Sequence, residues 1–320
     1  MVELTRPAVQ VTLMLTIIER DLARLAMSWV PRLVAQSHYR FAERLFIVDA
    51  HNSTVASPQL VAAMLRHVNA GYMDGWNVVN YSEAFIQKIA SKFRWPSGYR
   101  PLTRAHAGNL VYYHMLEIVR TPYLLHYDLD LVIWSLPGNS WVAQGLTILA
   151  GNTSVLSVEP PRPGDEPQMS SGTPLCRSHE DRPTFRPTRS CGHYPATFAT
   201  SRVYLMNVGR YHELVARTFV KGHACTKKKK DGKHSTHWEN DISCAVCHSG
   251  LIKAQLLRAR CFWNLHFPTT HWPNLTFVER VLTALVDRDL PITSENGYDA
   301  ASSVAAWEAR LKRAEMESEA

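Results

Sequence analysis

The sequence predicts an α/β fold in which a mostly parallel sheet is flanked by helices. Two observations support this prediction. Short apolar segments alternate with segments of helical apolar spacing between residues 9 and 131, and an acidic tetrapeptide follows the last of these apolar segments. Strands and helices in alternation are typical of βαβ units with right-handed crossovers. A chain of 320 residues can form one large domain or two small ones.

The predicted elements of the first half follow one another in this order. We expect strands at 9–18, 45–48, 76–79 and 121–127, and helices at 19–36, from Pro58 onward, and at 107–120. Proline is favoured in the first turn of a helix, which suits Pro58. The residue before a proline disfavours helical geometry, so Pro122 ends the last of these helices.

The second half changes character at Glu159. Residues 159–197 are rich in proline, arginine, serine and glycine, which predicts a long surface excursion. A strand at 197–206, a helix at 208–220, a polar loop at 221–238 and a helix at 238–250 are expected next. The tail from Ser302 is charged and helical in composition, with apolar residues at packing positions.

Composition limits the classes of protein that fit. The chain is 46% hydrophobic and 20% charged, with no apolar run near the roughly 20 residues that span a bilayer. The early apolar segment lacks a basic flank and a small-residue cleavage site, so we expect no signal peptide and a cytoplasmic location. All six cysteines lie in the second half, unlike a spread disulfide framework.

Net charge is +7, which suits an anionic substrate, a membrane surface or nucleic acid. Much of this excess lies in 227–230 and at Lys233. Such a run is usually a solvated loop, so we expect no nucleic-acid partner. No oligomeric state is predicted.

The tetrapeptide Asp128-Leu129-Asp130-Leu131 is the strongest chemical signal in the chain. Carboxylates at positions i and i+2 of an extended backbone point the same way. They repel each other unless a cation lies between them. Hard oxygen ligands suit Mg²⁺ or Mn²⁺, which commonly bind carboxylates together with substrate phosphates. The tetrapeptide is therefore predicted to hold a phosphate-bound metal.

Other segments share an order with this tetrapeptide. They are a first strand ending at Thr16, RLFIVDAHNST at 44–54, RAHAGN at 104–109, NVGRYHEL at 207–214 and WEND at 238–241. In this order, the segments resemble the GT-A glycosyltransferases, most closely the inverting, family-2-like kind. The resemblance covers about residues 9–250 and implies a GT-A fold with acceptor-side loops and C-terminal helices.

The resemblance also implies a division of the chain. Residues 1–265 form the glycosyltransferase domain, in which 9–131 bind the nucleotide sugar and 132–265 supply the acceptor and catalytic half. Residues 266–320 form a C-terminal helical extension.

Site residues follow from the resemblance as well. Asp241 is the expected catalytic base, and Glu239 is the alternative. Asp128 and Asp130 hold Mn²⁺ or Mg²⁺. A late histidine completes the metal site in many such enzymes, and the candidates here are His266 and His271. The expected contacts to the nucleotide sugar come from Thr16, Asp49, Arg104, Asn109 and Asp128.

The resemblance implies a hexosyl- or N-acetylhexosaminyltransferase. Its donor is a nucleotide-diphosphate sugar, most often a UDP-sugar, and its acceptor is a small molecule or glycan. Two departures concern the site. Asp49-Ala50-His51 replaces a more usual acidic pair, and Glu239 and Asp241 are separated by an extra residue.

Alternative interpretations remain open on the sequence. A nucleotidyltransferase also pairs carboxylates around Mg²⁺, although no glycine-rich phosphate loop follows the first strand. A non-catalytic basic binding module would show salt-sensitive binding to polyanions. Cys244 and Cys247 have the spacing of zinc ligands, but only one such cysteine pair is present, and we favour two buried thiols in the helix that follows the acidic motif.

Overall fold

The computed structural model describes residues 10–50, 55–95, 107–161, 185–188, 202–220, 227–228, 234–235, 238–256 and 261–266, together with isolated helical residues between 276 and 316. The strands are β1 Val11–Ile17, β2 Glu43–Val48, β3 Gly75–Val78, β4 Tyr123–Asp128, β5 Leu131–Ser135, β6 Val155–Glu159, β7 Phe185–Thr188, β8 Val203–Asn207, β9 Lys227–Lys228, β10 His234–Ser235, β11 Ile252–Leu256 and β12 Phe262–His266. The helices are α1 Leu22–Leu25, α2 Trp29–Gln36, α3 Pro58–Asn69, α4 Glu83–Phe93, α5 Ala107–Ile118, α6 Trp141–Gly151, α7 Val208–Val220 and α8 Trp238–Ser249.

A mostly parallel sheet forms the centre of the fold. Among the described residues it has eight strands in the order β3-β2-β1-β4-β8-β6-β11-β7. The first four strands in this order are parallel to one another. β8 is antiparallel to both of its neighbours, β11 is parallel to β6, and β7 is antiparallel to β11. The predicted fold class, a mostly parallel sheet flanked by helices, is therefore confirmed.

Apolar cores cover both faces of this sheet. β1 shows the division, because Leu13, Leu15 and Ile17 belong to one core cluster and Met14 belongs to the other. Helices α2, α3 and α6 contribute to the first cluster. Helices α4, α5, α7 and α8 contribute to the second. A strand that is buried on both faces reads as a continuous apolar run, which is why β1 was recognisable in the sequence.

The predicted helix at 19–36 is divided in the structure. A 3-10 turn at Glu19–Asp21 leads into the short α1, and α2 begins only at Trp29. Pro31 explains the break, since its ring lacks an amide hydrogen and would clash with the carbonyl of Met27 in a continuous helix. The amides of Ala26 and Met27 instead donate to carbonyls three residues earlier. The other predicted elements of the first half lie within a few residues of the observed ones.

The expected halves of the chain share one sheet, since β4 of the first half pairs with β8 of the second. The described residues of the expected extension, 266–320, contact the first half. Ser28 donates to Glu279, Arg32 donates to Thr283, and Leu311 is buried in the first core cluster.

No helix in the described part of the chain is long and apolar enough to cross a membrane.

Gly145 of α6 permits the helix to lie close against the sheet. A Cβ atom at this position would approach Leu205 Cδ2 to 2.8 Å, whereas a Cβ at Gly151 of the same helix would meet nothing within 4 Å. We expect Gly145→Ala to lower the free energy of unfolding by about 1–3 kcal/mol relative to Gly151→Ala, because overpacking a rigid core displaces side chains. Urea unfolding of the two variants measures this difference. Equal free energies of unfolding would show that the side chain of Leu205 can move aside without a measurable cost.

Candidate active site

The carboxyl ends of β1, β2 and β4 meet at one edge of the sheet. From β1 the chain first builds outward through β2 and β3, and then places β4 on the other side of β1. The strand order therefore reverses between β1 and β4. In open α/β sheets, ligands bind in the crevice at such a switch point, beyond the carboxyl ends of the strands.

Asp128 is the last residue of β4 and lies opposite Thr16 of β1. Thr16 donates its hydroxyl to Asp128 Oδ1 at 2.8 Å, and His126 Nε2 lies 3.0 Å from the same oxygen. The backbone amide of Asp128 donates to the carbonyl of Arg202. The side chain is still 21% exposed. Asp128 is thus fixed by its neighbours and remains accessible at the switch point.

Asp130 lies in the turn that joins β4 to β5, so the two acids do not both belong to an extended strand. Arg202 Nη1 lies 3.7 Å from Asp130 Oδ2. On the other side of the turn, the indole of Trp29 donates to the carbonyl of Leu131 at 2.7 Å. The turn is therefore held by both the second half of the chain and α2.

Asp21 is a third carboxylate of this edge that sequence reasoning missed. Its Oδ2 accepts the amide of Ile18 at 2.9 Å, and its Oδ1 pairs with Arg24. Burial raises the pKa of Asp21, these hydrogen bonds lower it, and the charge of Asp130 raises it. Asp21 therefore lies within electrostatic reach of Asp130. Its position four residues after the end of β1, the first predicted strand, was the available signal.

Asp49 follows β2 and is only 3% exposed. Its amide donates to the carbonyl of Ile17, and the hydroxyl of Tyr81 donates to Asp49 Oδ1 at 2.6 Å. Burial and the adjacent carboxylate raise the pKa of Tyr81. The expected contact of Asp49 with a nucleotide stays a prediction, and the structure gives this residue a role in joining β2 to the segment after β3.

The donor set suits a hard divalent cation. Asp128 and Asp130 supply carboxylate oxygens, and Mg²⁺ commonly takes one or two carboxylates while its other positions hold water and phosphate. In the part of the chain that the structure describes, no group of three or more His, Cys, Asp or Glu residues is placed to hold a metal by itself. The chemistry of these two carboxylates matches the part of such a site that protein supplies, and the metal stays a prediction.

The two candidates for a third metal ligand are His266 and His271. The backbone of His266 lies opposite Leu131 in the antiparallel pair of β12 and β5, which is one residue from Asp130. The side chain of His266 lies outside the described residues, as does the whole of His271.

The helix α8 begins beside this edge through aromatic contacts. Trp238 stacks on Tyr112 of α5 and on Tyr204 of β8, with ring centroids 5.2 Å apart in each pair. The ring of His126 lies 5.5 Å from Tyr112 and 5.1 Å from Tyr204. We call these four residues the aromatic cluster. It connects the neighbour of Asp128 to the first residue of α8.

The expected acids lie in the first turn of α8, where the helix dipole favours negative charge. Glu239 is partly exposed, and the side chain of Asp241 lies outside the described residues. Arg104 lies outside them too, and so do the side chains of Asn109, Cys244 and Cys247. Their expected roles stay predictions.

The site also draws on residues that no sequence pattern singled out. His126, Tyr81 and Arg202 each contact one of the predicted acids. They lie two to 72 positions away from those acids in the sequence, and only the pairing of strands brings Arg202 to Asp130.

Comparisons with solved structures found chains of similar fold. One is the crystal structure of S. aureus TarS, with 8% identity over 95% of this chain and 43% of that chain, at a TM-score of 0.42. TarS residues 1–349 give 9% identity over 86% and 64%, at a TM-score of 0.37. Mouse xyloside xylosyltransferase 1 in its apo form gives 13% identity over 75% and 82%, at a TM-score of 0.38.

This chain thus spans less than two thirds of either TarS chain. No protein-family model and no curated protein sequence matches it. At these identities and TM-scores the comparisons do not identify a substrate or a reaction.

The bond between Tyr81 and Asp49 gives a test of how this edge is held. We expect Tyr81→Phe to lower the free energy of unfolding by about 1–3 kcal/mol, because it removes a donor from a buried carboxylate. Tyr72→Phe is the matched control, since Tyr72 is 40% exposed, and it should change little. Urea unfolding measures both, and a neutral Tyr81→Phe would mean that Asp49 does not depend on this hydroxyl.

Proposed function

We propose that this chain is a metal-dependent glycosyltransferase, which moves a sugar from a nucleotide-diphosphate sugar to an acceptor hydroxyl with inversion at the sugar carbon. The observation that carries this proposal is the hydrogen bond from Thr16 to Asp128, because it fixes a partly exposed carboxylate across the strand-order reversal. Asp130 follows it in a turn that is braced on two sides.

In this proposal Asp128 and Asp130 hold Mn²⁺ or Mg²⁺ against the donor diphosphate. The bound cation supplies charge stabilisation for the diphosphate leaving group. The acids themselves supply a fixed anionic pair, and Arg202 limits the movement of Asp130. Thr16, Asp49, Arg104 and Asn109 are the proposed contacts to the nucleotide sugar.

The acceptor hydroxyl must lose its proton as it attacks the sugar. A carboxylate on the opposite face of the sugar ring can take that proton, as in inverting glycosidases. We assign this role to Asp241, with Glu239 as the alternative. The stacking of Trp238 on Tyr112 and Tyr204 supports the assignment, because it ties the start of α8 to the side of the site that holds Asp128.

The proposed donor is a UDP-sugar carrying a hexosyl or N-acetylhexosaminyl group, and the proposed acceptor is a small molecule or a glycan. The cytoplasmic location expected from the sequence stays a prediction. The disulfide bond of Cys261 argues against it, because disulfides form and persist mainly in oxidising compartments.

The two acids of the tetrapeptide are the first test. We expect Asp128→Asn and Asp130→Asn each to reduce Mn²⁺-dependent turnover of a UDP-sugar by about 100-fold or more, because each weakens the electrostatic stabilisation of the leaving group. Turnover is measured as UDP release across a panel of UDP-sugars. Asp74→Asn is the matched control, since Asp74 pairs with Arg44 at the start of β2, at the opposite edge of the same sheet. Full turnover in both site variants would contradict the proposal.

The assignment of the base has a separate test. We expect Asp241→Asn to retain binding of UDP with Mn²⁺ and to lose transfer by about 100- to 10,000-fold, the range for removing a general base. Glu239→Gln is compared directly with it. Calorimetric binding of UDP and transfer to acceptor are measured for both variants. A larger loss of transfer in Glu239→Gln would reassign the base to Glu239.

A further inference from the structure

His126 is buried directly behind Asp128 and was not singled out by any sequence pattern. Its side chain has no solvent exposure, although it lies on β4 only two residues before Asp128. Burying the polar nitrogens of a histidine costs free energy unless they form hydrogen bonds.

Nε2 of His126 lies 3.0 Å from Asp128 Oδ1, the same oxygen that accepts the hydroxyl of Thr16. An ionised carboxylate only accepts hydrogen bonds, so Nε2 must carry the hydrogen of this contact. Nδ1 is buried and has no hydrogen-bond partner among the described residues. The ring is therefore oriented by a single polar contact, the one to Asp128.

Both donors reach the same oxygen of Asp128. Among the described residues, no group donates a hydrogen bond to the other oxygen, Oδ2, and the side chain is partly exposed. Two donors on one oxygen fix the rotation of the carboxylate. Oδ2 is then the oxygen presented to a ligand at the carboxyl edge of the sheet.

The ring of His126 is in turn held by the aromatic cluster. Tyr112 meets it edge-on, with an interplanar angle of 87°, and Tyr204 lies against it at 41°. Trp238 stacks on both tyrosines. Such packing leaves the imidazole little freedom to turn away from Asp128.

We propose that His126 is a positioning residue that fixes Asp128 so that Oδ2 is presented to a divalent cation. This role rests on the metal site of the proposed function. It is comparable to the outer-shell partners that orient metal-binding side chains and whose loss weakens metal binding about 10- to 100-fold.

Two substitutions separate positioning from packing. His126→Phe keeps a ring within the aromatic cluster but removes the donor, whereas His126→Gln keeps a donor nitrogen but removes the ring. We expect His126→Phe to weaken Mn²⁺ binding about 10- to 100-fold in the presence of UDP and His126→Gln to retain most of it. Free Mn²⁺ is measured by electron paramagnetic resonance, with urea unfolding of each variant as the measure of stability.

The opposite order, with normal Mn²⁺ binding in His126→Phe and weak binding in His126→Gln, would overturn the positioning role. Asp128→Asn serves as the reference variant. If it leaves Mn²⁺ binding unchanged, the proposed metal site fails; if it weakens binding while His126→Phe does not, only the role of His126 fails.

A measurement on the unaltered protein covers the case in which a substituted protein does not fold. Nitrogen NMR of ¹⁵N-labelled histidine reports which ring nitrogen carries hydrogen, and triple-resonance assignment of the unaltered protein identifies the resonance of His126. The hydrogen is expected on Nε2. An Nε2 without hydrogen would overturn the proposal, because it has nothing to donate to Asp128.

Discussion

The hydrogen bond between Thr16 and Asp128 depends on the register of two parallel strands, and the rest of the site depends on it. Thr16 of β1 and Asp128 of β4 are 112 positions apart in the chain. The pairing of the two strands puts Thr16 level with Asp128. A shift of one residue would turn each side chain to the other face of the sheet. Because β1 is buried on both faces, such a shift would force its side chains into the opposite core cluster, so packing on both faces enforces the geometry of the acids.

The acids at this edge would repel one another without fixed partners. Asp21 is paired with Arg24, Asp49 accepts from Tyr81, and Asp130 faces Arg202. Asp128 instead accepts two hydrogen bonds on one oxygen. Asp128 therefore differs from Asp21 and Asp130: in the part of the chain that the structure describes, no arginine or lysine pairs with its carboxylate.

The aromatic cluster packs side chains from both halves of the sequence against one another. Tyr112 and His126 precede the acidic turn, while Tyr204 and Trp238 come from the second half. Tyr204 is fully buried, and burial together with the charge of Asp128 raises the pKa of its hydroxyl. The start of α8 therefore cannot move relative to β4 without disturbing the packing around the imidazole beside Asp128.

The sequence by itself determined the alternation of the first half, the place of the acidic tetrapeptide at a strand end, and the helices that begin at Val208 and Trp238. These features follow from local apolar spacing and proline positions, which need no knowledge of distant residues. Helix α6 was missed because it is buried and apolar on nearly all sides, so it shows no helical alternation of polar residues. The break before α2 was missed because Pro31 acts through the carbonyl of Met27, four residues earlier.

Only the tertiary structure decided that Asp21 lies near Asp130, that Tyr81 donates to Asp49 and that His126 reaches Asp128. Such contacts depend on strand order, register and side-chain direction, which local sequence patterns do not encode.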